Sequence, residues 1–395
     1  SEPCNIVDFA LGNTTRVDSN DPSTGCIDSS SPYSFVVTKG DPNNVHIHFQ
    51  GGGICWDQAS YDDGNCRVKA QPPRRVGIFD TNNMMNPYAN YTTIVILYCS
   101  GDMFFGDNAT AEFVGPNGES VIQRGTQNAL TVLKYVASQQ LKGTYLSSPL
   151  DKLLVSGSST GSIAAPLWVG SITSTIQSSS CICLSDSFFL PLAEVYQPAL
   201  LQSWNICGSI LIPEEYSVDC EIRNLSNVDL MRRAISAYPD VLFLLVIAKK
   251  DNPATYWYNT YGSYLNDDKP LWPSEYFEIM LPSIEDLNML PNFLVFLITS
   301  LNHLFVSRDR FYTATEYGDE AGVGANRNGT TVSEWLGAYS DDSMNEISSV
   351  CEGDNCGQGL IPKTFVFHRK VDTPTSSPTS KMFEQNCMFI GLHRR

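Results

Sequence analysis

The stretch KLLVSGSSTG, residues 152–161, decides the fold of this chain. The apolar run Leu153–Ser156 predicts a buried strand that leads into the pattern G-x-S-x-G, with Ser159 at its centre. Apolar residues at helical spacing follow the turn: Ile163, Ala164, Leu167 and Trp168. In a strand–turn–helix of this kind the serine has a strained backbone, and the flanking glycines avoid clashes with neighbouring chain. The pattern therefore predicts that Ser159 is an activated serine nucleophile.

Further apolar runs along the chain predict a mostly parallel sheet. Residues 122–141 (Ile122–Leu141) carry an apolar stripe at helical spacing, so strands alternate with helices, as in a three-layer α/β sandwich. Pro253–Leu290 is rich in aromatics and prolines without a clear period, and we expect an insertion that forms a cap near the site. The other predicted strands are Phe35–Val37, Val45–Phe49, Thr93–Cys99, Cys181–Ser185, Val241–Ala248 and Phe293–Thr299.

Composition and charge exclude some classes of protein. Lys and Arg number 25 against 42 Asp and Glu, a net charge of −17 that repels phosphate backbones, so no nucleic-acid partner is expected. No apolar run reaches the roughly 20 residues that span a bilayer. We expect one domain over residues 1–395, a monomer without a membrane span, and a flexible Ser/Thr/Pro segment at residues 372–380.

The cysteines and sequons indicate an oxidising, secretory compartment. There are 12 cysteines and the chain opens without Met, as expected after removal of a signal peptide. Short loops suggest the bridges Cys55–Cys66, Cys207–Cys220 and Cys351–Cys356, whereas Cys181 and Cys183 are too far apart to bridge each other and are expected to pair elsewhere. Glycosylation sequons begin at Asn13, Asn90, Asn108, Asn224 and Asn328.

A serine nucleophile needs a base and an orienting acid, which in this kind of fold follow it in the order acid, then histidine. Asp251 comes just after the strand Val241–Ala248, and His303 just after the strand Phe293–Thr299. Asp186 also ends a predicted strand, but that strand adjoins the nucleophile strand. The acid usually follows the strand before the histidine strand, so we predict that Asp251 orients His303 and that Asp186 is structural.

The negative charge of a tetrahedral intermediate requires preorganised N–H donors. The residue after the nucleophile, Thr160, supplies one. The predicted strand Val45–Phe49 leads into QGGGICW, residues 50–56, whose bare backbone is suited to approach a substrate oxygen. We therefore predict one oxyanion donor at Thr160 and a second within this glycine-rich loop.

Several ordered segments resemble the pectin acetylesterase and Notum family. They are FQGGGICWD (49–57), LYCSGDMFFGD (97–107), RGTQNALTVLKYV (124–136), VSGSSTGS (155–162) and SLNHLFVSRDRFYT (300–313). The resemblance implies an α/β-hydrolase-like fold stapled by disulfides, and a secreted carboxylesterase that acts on an acylated glycan or small ester without a cofactor or metal. It assigns the nucleophile to Ser159, the acid to Asp251, the base to His303 and the oxyanion donors to Gly52, Gly53 and Thr160.

The chain departs from the family pattern beside the chemistry. Thr160 stands where the family usually has Ala, Gln50 where it usually has Glu, and Asn302 directly precedes the histidine. These changes remove no reacting atom and bear on substrate choice. Three residues of the matching segments are predicted to shape the substrate site: Trp56, Asp102 and Asp107. For the two aspartates, capping of a loop after a strand is the alternative role.

Two other functions are consistent with the sequence. His46 and His48 alternate on a strand, so both imidazoles share one face and are candidate ligands of a metal-dependent hydrolase, although a third ligand is not evident. A non-catalytic binding module with the same fold is the other alternative. Serine-directed reagents distinguish the ester hydrolase from both.

Overall fold

The computed structural model describes residues 4–107, 109–115, 117–187, 200, 203–212, 214–222, 225–263, 269–319, 329–340, 348–351 and 386–388. The segment 372–380, predicted to be flexible, lies outside these residues. So does Cys356, and with it the predicted bridge to Cys351. The expectation of one domain over residues 1–395 stays a prediction.

Within the described residues, the central sheet has nine strands in the order β10-β9-β8-β7-β3-β4-β2-β1-β11. A separate antiparallel hairpin contains β5 and β6. The strands are β1 (Thr14–Asp18), β2 (Ser34–Thr38), β3 (Asp41–Phe49), β4 (Tyr91–Ile96), β5 (Ala109–Val114), β6 (Ser120–Gln123), β7 (Leu150–Ser158), β8 (Ser178–Asp186), β9 (Val241–Ala248), β10 (Phe293–Ile298) and β11 (Asn386–Met388).

The strands from β10 to β4 are parallel, and the β4–β2, β2–β1 and β1–β11 pairs are antiparallel. Every residue of β9 and β10 is buried, as their unbroken apolar sequences require of strands that are covered on both faces. Because parallel strands end at the same edge, the turns after β3, β7, β8, β9 and β10 meet there.

Helices cover both faces of the sheet. Adjacent residues of β7 enter different core clusters, Leu154 with Trp335 on one face and Val155 with Trp168 on the other, so the chain forms three layers. The α-helices are α1 (Gln58–Asp62), α2 (Gly125–Lys142), α3 (Thr160–Thr175), α4 (Ser217–Glu221), α5 (Asn227–Ala237), α6 (Asn252–Ser263), α7 (Pro273–Asn288) and α8 (Val332–Ser340). Short 3-10 turns lie at Ile6–Asp8, Gly77–Phe79, Ile206–Gly208, Glu214–Tyr216 and Asp309–Tyr312.

The fold confirms each strand predicted from an apolar run, with shifts of a few residues at the ends. The helix predicted from Ile122 begins at Gly125 instead, because residues 120–123 pair with β5. The stretch Pro253–Leu290, in which no period was evident, contains most of α6 and all of α7. Aromatic residues and an internal proline, Pro282, obscure the helical period there.

Three disulfides staple the described chain, and they confirm Cys55–Cys66 and Cys207–Cys220. The third, Cys26–Cys99, joins residues 73 apart in sequence. The expectation that Cys181 and Cys183 pair elsewhere is wrong, because both are free and buried. Their side chains belong to the main core cluster, where a small apolar thiol is well accommodated.

We expect the paired substitution Cys26→Ala and Cys99→Ala to lower the melting temperature clearly. Removing a native disulfide from a secreted domain costs about 2–5 kcal/mol, and this bridge ties the segment after β4 to the loop before β2. Calorimetry of the purified variants measures the shift. Cys181→Ala, which removes a buried thiol but no bridge, is the control and should shift the transition less; equal shifts would contradict the prediction.

Within the described residues, no helix combines the length and the apolar character that crossing a bilayer requires.

Candidate active site

The predicted nucleophile, Ser159, lies between β7 and α3. β7 ends at Ser158 and α3 begins at Thr160, so the chain turns at Ser159, whose φ is 53° and ψ is −125°. A Cβ placed on Gly157 would lie 1.8 Å from the carbonyl oxygen of Gly161. The glycine at that position is therefore required by the close approach of the backbone across the turn.

Two loops beside this turn also contain a non-glycine residue with a positive φ. Ser187, directly after β8, has a φ of 64°, and Leu304, in the loop after β10, has a φ of 68°. Non-glycine residues adopt such angles rarely, and in folded proteins they cluster at functional sites. The two loops and the Ser159 turn lie at the same edge of the sheet.

The structure brings His303 to Asp251. The imidazole Nδ1 lies 2.7 Å from Asp251 Oδ2, and the side chains are 13% and 0% exposed. The other carboxylate oxygen, Oδ1, accepts the N–H of Ala254 at 2.9 Å and so caps the start of α6. Asp251 is therefore fixed by a helix terminus while it holds the imidazole.

Asp186 connects two segments of the site. One is the turn at Ser159, here called the nucleophile turn, and the other is the loop after β10 that carries His303, here called the histidine loop. Its carbonyl oxygen accepts the N–H of Ser159 at 2.8 Å, and its carboxylate accepts the N–H groups of Phe305 and Val306, each at 3.0 Å in its shortest contact. The Ser187 hydroxyl donates to the same carboxylate at 2.7 Å. Burial raises the pKa of Asp186, while these hydrogen bonds favour the ionised form.

The hydrogen bonds of the described residues do not include one between Ser159 Oγ and His303. The Ser159 turn and the loop that carries His303 are linked through Asp186 instead, whose carbonyl accepts the Ser159 N–H and whose carboxylate accepts the Phe305 N–H. Catalytic hydrogen bonds are often long without substrate and shorten when substrate binds.

Asp319 holds the histidine loop from outside. Its carboxylate accepts the Ser300 hydroxyl at 2.6 Å, the Asn302 amide at 2.9 Å and the Arg310 guanidinium at 3.1 Å. Its side chain is 2% exposed. This gives Asn302, the unusual residue before His303, a physical role. Sequence reasoning missed Asp319, because nothing in its neighbourhood distinguishes it from a solvated acid.

The glycine loop after β3 packs directly on the nucleophile turn. A Cβ on Gly51 would lie 2.7 Å from the Cβ of Ser159, and one on Gly52 would lie 2.6 Å from the Tyr98 ring. Gly53 has a φ of 71°. Side chains at these positions would separate the loop from the turn, which accounts for the glycine run.

The predicted oxyanion donors differ in their hydrogen bonds. Thr160 is the first residue of α3, so its N–H has no acceptor within the helix and lies at the positive end of the helix dipole. Among the described residues no acceptor contacts the N–H of Thr160 or of Gly53. The Gly52 N–H, by contrast, donates to Thr160 Oγ1 at 3.1 Å. Two of the three predicted N–H groups thus have no acceptor within the described chain and remain candidate donors to an oxyanion.

Trp56, Asp102 and Asp107, predicted to shape the substrate site, occupy structural positions. The half-buried Trp56 packs against the main core. Asp102 is 0% exposed and caps α2 through the N–H of Gly125 at 2.8 Å; burial raises its pKa to about 6. Asp107 accepts a hydrogen bond from the Gln127 amide of α2 at 2.9 Å. A role of these residues in substrate binding stays a prediction.

Trp257 is a further residue at the site that sequence reasoning missed. Its ring atom Cζ2 lies 3.2 Å from the position that a Cβ on Gly53 would occupy. It belongs to α6, the helix that begins directly after Asp251. The first helix of the predicted cap therefore brings an aromatic ring beside the glycine loop.

His46 and His48 form a buried network beneath the site. His46 Nε2 and His48 Nδ1 both contact Ser156 Oγ, at 2.6 and 2.7 Å, and His48 Nε2 lies 3.3 Å from Ser158 Oγ. Burial lowers the pKa of His46 to about 3 and that of His48 well below its usual value, so both are neutral. In the part of the chain that the structure describes, no three His, Cys, Asp or Glu side chains group as metal ligands.

Comparison with known proteins places these features in context. The family model of pectinacetylesterases matches residues 9–210. Pectin acetylesterase 11 of Arabidopsis thaliana is 27% identical over 190 residues, which is 45% of this chain and 46% of the relative. Pectin acetylesterase 7 of the same plant is 26% identical over the same shares. The matched part of the chain thus spans about half the length of these curated relatives.

Among solved structures, the Wnt deacylase Notum from Drosophila is similar, with a TM-score of 0.58. The match covers 88% of this chain and 99% of that structure at 16% sequence identity. At this identity the likeness concerns the fold, and it confirms the predicted α/β-hydrolase-like architecture.

Proposed function

Because the chain belongs to the pectinacetylesterase family, we propose that it is a carboxylic ester hydrolase with Ser159 as nucleophile, His303 as general base and Asp251 as orienting acid. One observation carries the proposal: the 2.7 Å contact of His303 Nδ1 with buried Asp251, at the sheet edge that also bears the strained Ser159. A carboxylate that holds Nδ1–H leaves Nε2 unprotonated, ready to take a serine proton.

In the acylation step, Ser159 Oγ attacks the ester carbonyl carbon and its proton passes to His303 Nε2. The carbonyl oxygen becomes an oxyanion, which accepts hydrogen bonds from the N–H groups of Gly53 and Thr160. The bond between the carbonyl carbon and the alcohol oxygen then breaks, and the alcohol leaves with the proton from His303. The acyl group remains on Ser159.

In the deacylation step, water attacks the acyl carbon and gives its proton to His303. The same N–H groups stabilise the second oxyanion. The bond to Ser159 Oγ breaks, the serine takes the proton back, and the carboxylic acid is released. Asp251 stays ionised throughout and stabilises the imidazolium.

We place an acetyl ester on a glycan first among substrates. The curated relatives that match this chain are named pectin acetylesterases. The structurally similar protein is named a deacylase of Wnt, so an acyl group on another extracellular molecule is the second candidate.

We also propose that the protein acts outside the cell. Disulfides such as Cys26–Cys99 persist in oxidising compartments, and the sequon residues Asn13 and Asn90 are exposed, where a glycan can be attached. The other sequon residues, Asn108, Asn224 and Asn328, lie outside the described residues.

The test measures hydrolysis of p-nitrophenyl acetate, butyrate and octanoate by the purified protein, together with labelling by a fluorophosphonate. We expect turnover that is highest for the acetate and falls with chain length, and one label per chain, on Ser159. A fluorophosphonate reacts only with an activated serine, so the labelling tests the nucleophile independently of the choice of ester.

The outcomes separate the alternatives. If the protein neither hydrolyses the esters nor takes the label, a non-catalytic binding module is favoured. Turnover that a chelator abolishes and a fluorophosphonate leaves intact would favour a metal-dependent hydrolase built on His46 and His48. If turnover is highest with the octanoate, the serine mechanism is retained, but the proposed substrate carries a longer acyl chain instead of an acetyl group.

A further inference from the structure

Thr160 contributes a side chain as well as an N–H group to the candidate oxyanion site. Its Oγ1 accepts the Gly52 N–H at 3.1 Å, which ties the glycine loop after β3 to the first residue of α3. The side chain is enclosed by protein, since Thr160 is 2% exposed. The hydroxyl thus lies beneath the loop.

Tyr98 completes this connection. Its phenol also interacts with the Thr160 side chain, and its Oη accepts the Met103 N–H at 2.9 Å. Its ring supports the loop, because a Cβ on Gly52 would lie 2.6 Å from ring atom Cδ1. Thr160 is therefore held on one side by a fully buried tyrosine and holds Gly52 on the other.

Gln50 fixes the start of the loop. Its side-chain oxygen accepts the Tyr98 N–H at 3.2 Å, and its amide nitrogen donates to the Gln71 carbonyl at 2.9 Å. A carboxylate at this position could accept the first hydrogen bond but could not donate the second. The loop is thus fixed at residue 50 by Gln50 and at residue 52 by Thr160.

The two N–H groups for which the described residues provide no acceptor lie on different elements. One is Gly53, on the loop, and the other is Thr160, on the helix. They stabilise one oxyanion only if both point at the same oxygen. In efficient sites such groups are held within about 0.5 Å of the productive geometry. The hydrogen bond from Gly52 to Thr160 Oγ1 joins the loop residue before one donor to the residue that carries the other.

We propose that the Thr160 hydroxyl is a positioning group that sets the glycine loop in register with the start of α3, so that the Gly53 and Thr160 N–H groups converge on the oxyanion. This role rests on the proposed ester hydrolase function. The Thr160 N–H serves as donor, while its hydroxyl acts only through Gly52.

The test compares Thr160→Val, which keeps the shape and removes the hydroxyl, with Thr160→Ser, which keeps the hydroxyl. We expect Thr160→Val to lower kcat on p-nitrophenyl acetate about tenfold with little change in KM, a smaller loss than the 10²–10³ that follows removal of a whole donor. The rate of fluorophosphonate labelling should fall in parallel, since phosphonylation also places charge on an oxygen in the hole. Thr160→Ser should restore both rates.

Thr92→Val is the matched control. Thr92 is a buried threonine whose hydroxyl also accepts a glycine N–H, that of Gly40 at 3.0 Å, but it lies at the opposite end of the sheet. Both valine variants should lose some thermal stability, and only Thr160→Val should lose kcat per labelled active site.

Two results would overturn the positioning role: an unchanged kcat in Thr160→Val, or an equal loss of kcat in Thr92→Val. A parent protein that neither turns over esters nor takes the label would instead overturn the proposed function itself. The parent measurement therefore distinguishes the two failures.

Discussion

Ser159→Ala is expected to abolish ester hydrolysis and fluorophosphonate labelling while the protein folds as before. The substitution removes the atom that forms the acyl-enzyme. It breaks no hydrogen bond of the described structure, since Ser159 is held there by its backbone, through N–H to Asp186 and through its carbonyl from Ser162. Turnover, labelling and the melting temperature are the three measurements.

Ser162→Ala is the neighbouring control. Its hydroxyl donates to the Ser159 carbonyl at 2.6 Å and supports the turn without being aimed at substrate. We expect this variant to keep the label and most of its turnover. Activity in Ser159→Ala equal to that of the parent, or a label that maps to Ser158 or Ser162, would refute the assignment of the nucleophile.

Asp251→Asn is expected to fold and to lose most of kcat. An amide at this position offers an N–H to His303 Nδ1, so the proton moves to Nε2 and the imidazole can no longer take the serine proton. The equivalent change in a serine protease, a worked example of the principle, lowers turnover about 10⁴-fold. The cap on α6 can persist, because the amide oxygen still accepts the Ala254 N–H. Steady-state kinetics and calorimetry together separate chemistry from folding.

Asp186→Asn is the matched comparison, and we expect the reverse pattern. Its carboxylate accepts the Phe305 and Val306 N–H groups, and an amide has only one oxygen to offer them. A buried donor left without a partner costs about 1–3 kcal/mol, so stability should fall while the folded fraction keeps its activity. A folded, inactive Asp186→Asn beside an active Asp251→Asn would move the orienting role to Asp186.

The sequence pattern was sufficient to predict those elements whose structure depends on neighbouring residues in the chain. Gly157 is required by the close approach of the Gly161 carbonyl within the turn, and the unbroken apolar runs of β9 and β10 require burial on both faces. These features are short-range, so they are legible in a few consecutive residues.

The sequence pattern did not predict those elements whose packing or pairing partners lie far away along the chain. The edge strand β1 pairs with β11, more than three hundred residues away, and its sequence of Thr, Arg and Asp carries little apolar signal. α6 and α7 carry aromatic residues and prolines that hide their period, and Cys181 and Cys183 belong to the core although cysteine count suggested bridges. In each case packing against distant residues overrides the local preference.

The sequence by itself determined the strand–turn–helix around Ser159, the glycine loop and the α/β layering, because each depends on periodicity or on backbone sterics within a short segment. The order of strands along the chain favoured Asp251 over Asp186 as the partner of His303, and the tertiary structure supplies the contacts: Asp251 Oδ2 lies 2.7 Å from His303 Nδ1, whereas the Asp186 carboxylate accepts a backbone N–H of the loop that carries His303. Only the tertiary structure revealed the hydrogen bond of Asp319 to Asn302 beside His303 and that of the Thr160 hydroxyl to the Gly52 N–H. Hydrogen bonds between segments this far apart leave no trace in either segment until folding brings the atoms within bonding distance.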